Sequence, residues 1–131
     1  MLLCYFYLIK PGEGILFIVN DDRRLVLDIT AALIGVGHYK SPLTAFDKLS
    51  ALKQIPLLEE LGVKVALLDG ILSGNSKSGS DGIDINVAIK GSYGDSVKTI
   101  GTSSLFPIPD ADVPIVDMGN LNNILPAISK L

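Results

Sequence analysis

The chain has 131 residues, 48% of them apolar and 19% charged, and a formal net charge of −3. Its longest apolar runs, Met1–Ile9 and Ile29–Gly37, fall well short of the roughly 20 residues a spanning helix needs, so no membrane span is expected. The acidic balance, with Arg23 and Arg24 as its only arginines, offers no basic face, so no nucleic acid is expected as a partner.

This length fits one domain, residues 1–131, large enough to hold a core without metal or disulfide. Cys4 is the single cysteine and cannot form an internal disulfide. The first apolar run begins at Met1 and the first charge is Lys10, which does not fit a secretory signal. The cytoplasm is the expected location.

Leu2–Ile9 is aromatic and apolar on both alternating faces and reads as a strand covered on two sides. Pro11–Gly14 is a turn, and Ile15–Val19 completes a hairpin with the first strand. Leu25–Leu33 has two readings. Alternation of Leu25, Leu27 and Ile29 favours a strand, whereas an Asn20 or Asp21 cap with Leu25, Ile29, Ala32 and Leu33 on one face describes a helix. The strand is the preferred reading through Ile29.

Ser41-Pro42 has the residue types of a helix start, and Leu43, Phe46 and Leu49 follow at helical spacing until Pro56 interrupts. Gly62 suits a C-terminal cap, and Val63–Leu68 a strand. Residues 73–82 form a polar loop. Ile83–Lys90 alternates Ile83, Ile85, Val87 and Ile89 against Asp84, Asn86, Ala88 and Lys90, which predicts a strand with one face on the core. Val97–Thr102 reads as a further strand. Phe106–Met118, with Pro107, Pro109 and Pro114, reads as an irregular arm. Leu121, Ile124, Leu125 and Ile128 share a helical face, with Pro126 limiting that helix.

No set of residues commits the chain to a reaction. His38 is the only histidine and cannot build a zinc site by itself. Cys4 sits in an apolar run, where a thiol is packing. Asp110 and Asp112 lack the further ligands of a calcium loop. Residues 73–80 are rich in hydroxyls but lack a nucleophile elbow. Tyr5 and Tyr7 share a strand face and read as packing. The segment Gly35–Ser41 combines glycines, Lys40 and a predicted helix start. Gly35, Gly37, His38, Lys40 and Ser41 are therefore the candidate ligand-binding residues, suited to a small anion.

Together these features predict a small α+β domain, with a mainly antiparallel sheet of about five strands and helices packed on one face. The high apolarity, low charge and lack of a convergent polar site suggest a non-enzymatic interaction or structural module. Its expected partner is itself, as a homo-oligomer, or another protein, and no cofactor is expected. The alternative is a domain that binds a small anion or phosphate ester through Gly35–Ser41.

Overall fold

The computed structural model describes residues 15–35, 41–70, 72, 80–102, 107–114, 116, 121–129 and 131. In chain order the elements are β1 (Leu16–Val19), α1 (Arg23–Gly35), β2 (Leu43–Ala45), α2 (Lys48–Gln54), β3 (Val65–Leu68), α3 (Ser80–Tyr93), β4 (Lys98–Gly101) and α4 (Leu121–Ser129). Short 3-10 turns follow α2 at Ile55–Leu57 and α3 at Gly94–Ser96.

Among the described residues every strand pair is parallel, and the strand order is β2-β1-β3-β4. Val113 adds a parallel bridge to Ile100 at the β4 edge. Parallel neighbours cannot be joined by tight turns and require crossovers. The chain moves one way from β1 to β2 and then reverses, passing β1 to reach β3 and β4. With crossovers of one hand, that reversal puts α1 on one face of the sheet and α2 and α3 on the other. Leu16, Ile18, Val65, Leu67 and Ile100 pack with α1 and α4, through Val26, Ile29, Leu33, Ile124 and Ile128. Phe17, Val19, Ala66 and Leu68 pack with α2 and α3, through Ala51, Ile85 and Ile89.

The expected α+β class is therefore wrong on each count. Among the described residues the sheet has four strands, none is antiparallel, and helices cover both faces. The expected first strand, Leu2–Ile9, and its turn lie outside the described residues. Along Phe17–Val19, β1 has β2 on one edge and β3 on the other, so no hairpin partner can pair there. β1 and β3 are buried at every position, which explains their unbroken apolar sequences.

Three segments took the other secondary structure. Leu25–Ile29 lies in α1, capped by Asp22, whose Oδ1 accepts from Leu25 N at 3.0 Å. Ser41-Pro42 leads into β2, and the helix opens instead at Lys48, with Asp47 Oδ1 accepting from Ser50 N at 2.7 Å. Ile83–Lys90 lies inside α3, whose buried stripe is Asp81, Gly82, Ile85, Asn86 and Ile89. That leaves Val87 60% exposed, although the alternation groups it with Ile85. The requirement to cross from β3 to a parallel β4 outweighs the strand preference of the β-branched residues.

Elsewhere the sequence reading and the structure agree more closely. Gly62 turns the chain at φ 73° before β3. The terminal helix runs through Pro126 to Ser129. The arm around Pro109 folds back onto the sheet: Ile108 is fully buried, and Val113 N donates to Thr99 O at 3.1 Å.

Candidate functional site at the carboxyl edge of the sheet

In open parallel α/β sheets, ligands bind beyond the carboxyl ends of the strands, at the point where the strand order reverses. Here that point lies between β1 and β3. Apolar β1 is followed directly by Asn20, Asp21 and Asp22, and apolar β3 by Asp69. The backbone ladder continues one residue past the strands. Asn20 N donates to Ala45 O at 3.1 Å, Asp69 N to Val19 O at 2.9 Å, and Thr102 N to Leu68 O at 2.8 Å. Phe46, Asn20, Asp69 and Thr102 thus form a row across the four strands.

Asp69 is half-buried, and its Oδ1 accepts from Gly70 N at 2.9 Å. Helix α3 begins against the same loop: Gly82 N donates to Gly70 O at 3.1 Å, and Asp81 Oδ2 accepts from Leu72 N at 3.0 Å. On the β1 side, Asn20 Oδ1 accepts from Asp22 N at 2.9 Å. Thr102 is 4% exposed, and among the described residues its hydroxyl oxygen has no hydrogen-bond partner. A buried hydroxyl left unpaired costs about 1–3 kcal/mol, so this one is conspicuous beside a carboxylate on the next strand.

The first turn of α1 contributes Arg23 to this edge. Its guanidinium carbon lies 4.1 Å from the centroid of the Phe46 ring. At an exposed site such a stack is worth only about 0.5–1 kcal/mol. Across the outer rim, Lys48 Nζ meets Asp84 Oδ2 at 2.6 Å, joining the starts of α2 and α3. That hydrogen bond holds Lys48 above its ordinary pKa. Among the described residues no three carboxylate, imidazole or thiol groups converge as a metal site.

The segment Gly35–Ser41 lies elsewhere. Gly35 ends α1, which runs back from the carboxyl edge, and Ser41 leads into β2. Both therefore stand at the amino edge, away from Asp69. Gly37, His38 and Lys40 lie outside the described residues, as do Cys4, Tyr5 and Tyr7. No helix begins at Ser41, so the amide-rich terminus expected there is absent. Asp112 is structural: its Oδ2 accepts from Lys90 Nζ at 2.5 Å and from Thr99 N at 2.8 Å. Burial would push this carboxyl up, but the Lys90 ammonium and the Thr99 amide outweigh that and hold it below the usual carboxylate value.

Sequence reasoning passed over Asn20, Asp69 and Thr102. The usable signal was an unbroken apolar run ending abruptly in acid, LFIV before Asn-Asp-Asp and VALL before Asp-Gly. In a parallel sheet that junction is the ligand-facing end of a strand.

No family model matches this sequence, and no curated protein is similar to it. Solved structures are similar in fold. One is the N-terminal domain of a response regulator/sensory box/GGDEF protein from Carboxydothermus hydrogenoformans, with a TM-score of 0.67, 17% identity, and coverage of 88% of this chain and 90% of that one. Another is the RcsB response regulator of Salmonella typhimurium, with a TM-score of 0.65, 21% identity, and coverage of 91% and 61%. A third is the signal receiver domain of a modulated diguanylate cyclase from Desulfovibrio desulfuricans, with a TM-score of 0.52, 22% identity, and coverage of 70% and 64%. The chain thus spans under two thirds of the length of the last two.

The fold is flavodoxin-like, a parallel α/β architecture shared with those solved structures. This overturns both functional expectations. The solved likenesses are a signal receiver domain and response regulators, which does not fit a structural module. Among the described residues the polar groups gather at the opposite edge of the sheet from Gly35 and Ser41, and the helix start that an anion-binding domain there would use is not at Ser41. No helix among the described residues is long and apolar enough to cross a membrane.

Proposed function

We propose that this chain is a receiver-type signalling domain, switched by transfer of a phosphoryl group to Asp69. The observation that carries this reading is the orphan Thr102 hydroxyl, buried one strand away from a half-buried carboxylate at the switch point. A carboxylate is a competent nucleophile for group transfer. One Asp69 oxygen attacks phosphorus, the bond from phosphorus to the donor's leaving group breaks, and that group departs with its electron pair. The acyl phosphate brings acceptor oxygens to the edge of the sheet, and the Thr102 hydroxyl is placed to donate to one of them.

The consequence for signalling lies in α3. Its first turn is fastened to the loop after Asp69 through Gly82 and Asp81. A new charge on Asp69 therefore acts first on that helix. The partners expected on this reading are a protein phosphodonor and a protein or domain that reads the state of α3, in the cytoplasm.

The test is incubation of the protein with acetyl phosphate, followed by intact-mass measurement and mapping of the modified peptide. A single phosphoryl adduct on Asp69, lost in Asp69→Asn, is the expected result. No adduct, or an adduct that persists in Asp69→Asn, refutes the proposal.

A further inference from the structure

The carboxyl edge has an electrostatic problem. Asp21, Asp22 and Asp69 all stand there, so a phosphodonor arrives as an anion at an acidic rim. Among the described residues, the cations on this edge are Arg23, Arg24 and Lys48, at the starts of α1 and α2. Lys53, Lys64, Lys90 and Lys98 lie toward the amino edge, late in α2, before β3, late in α3 and at the start of β4.

Lys48 is held by Asp84. Arg24 is turned about 100° around the helix from Arg23. Arg23 is exposed and stacks on Phe46. Its position in the first turn of α1 is one where the helix dipole disfavours a cation unless an anion is near. Phe46 and Asp69 flank Asn20 in the same row, so they stand about two strand spacings apart, roughly 10 Å. The planar guanidinium fork matches phosphoryl oxygens in pairs and forms stronger bonds to them than to a ring face.

We propose that Arg23 is a phosphate-binding cation of this site: it leaves the Phe46 ring and pairs with the phosphoryl oxygens as Asp69 accepts the group. This rests on the reading of Asp69 as acceptor. The Phe46 stack stores the guanidinium close to the site while it is empty and keeps it from collapsing onto Asp21 or Asp22.

The experiment follows the initial rate of acetyl phosphate labelling of the full chain, in the parent and in Arg23→Ala, Arg23→Lys and Arg24→Ala. Arg23→Ala is expected to slow labelling about tenfold, equivalent to about 1.4 kcal/mol in the barrier. Arg23→Lys should recover part of the rate, Arg24→Ala should match the parent, and the melting temperature of unlabelled Arg23→Ala should fall by no more than the few degrees that loss of the Phe46 stack implies. A parent-like rate in Arg23→Ala, with Asp69 still labelled, overturns the role of Arg23 and leaves the acceptor reading standing. An equal loss in Arg24→Ala would show a general charge effect and also overturns it. A parent that takes up no phosphoryl group at Asp69 removes both.

Discussion

Gly82 packs so tightly on Asp69 that a Cβ at position 82 would stand 2.5 Å from the Asp69 carbonyl oxygen. The same atom would stand 2.8 Å from Ile108 Cδ1 and 3.0 Å from Gly70 Cα. The start of α3 and the backbone of the proposed acceptor are thus in direct contact, with no room for a side chain between them. Gly82→Ala is expected to destabilise the fold by about 1–3 kcal/mol, as overpacking does, although alanine is otherwise the better helix former. A urea midpoint at or above that of the parent would show that the loop gives way freely.

Thr102→Val separates folding from function. The hydroxyl has no partner among the described residues, so its replacement by a methyl group removes an unpaired polar atom and should leave the resting protein as stable or slightly more so. The same change should lower the yield of phosphorylated protein. A clear loss of resting stability would mean that the hydroxyl is already satisfied.

Ile85 and Val87 distinguish the helix from the predicted strand. Ile85 is fully buried and Val87 is 60% exposed. Ile85→Asp should unfold the domain or leave it aggregated, since a buried carboxylate costs several kcal/mol. Val87→Asp should stay within about 0.5 kcal/mol of the parent. Equal damage from both would restore the strand, in which the two share a face.

The Lys90–Asp112 pair makes stability depend on acid. Lys90 Nζ also donates to Val97 O at 3.0 Å, and the two side chains each keep 22% exposure. Because the Asp112 carboxyl titrates lower in the folded chain than in the unfolded one, its contribution is present above the usual carboxylate value. It is lost as pH falls through the lower, folded value. Chemical denaturation across that acid range should show a steeper loss in the parent than in Asp112→Asn. Parallel curves would mean that the pair adds nothing to the folded state.

The sequence by itself determined where much of the chain is apolar and that it turns at Gly62. β1, β3 and β4 fall within predicted strands, Gly62 turns the backbone before β3, and the apolar stripe of the terminal helix is legible as Ile124 and Ile128. Strand direction was not legible, because a fully buried strand has the same apolar composition in either orientation. Ile83–Lys90 shows the limit most clearly. Its period of two is genuine, but a parallel β3–β4 pair needs a crossover, and the helix that supplies it buries Ile85 and Ile89 while leaving Val87 outside.

The site was hidden for the same reason. Asn20, Asp69 and Thr102 are separated by long stretches of sequence, and each alone reads as a polar residue ending a strand. Only the order β2-β1-β3-β4 puts them in one row, and only burial in that row makes the unpaired Thr102 hydroxyl meaningful. Local chemistry fixed what each residue could do; tertiary topology decided which of them meet.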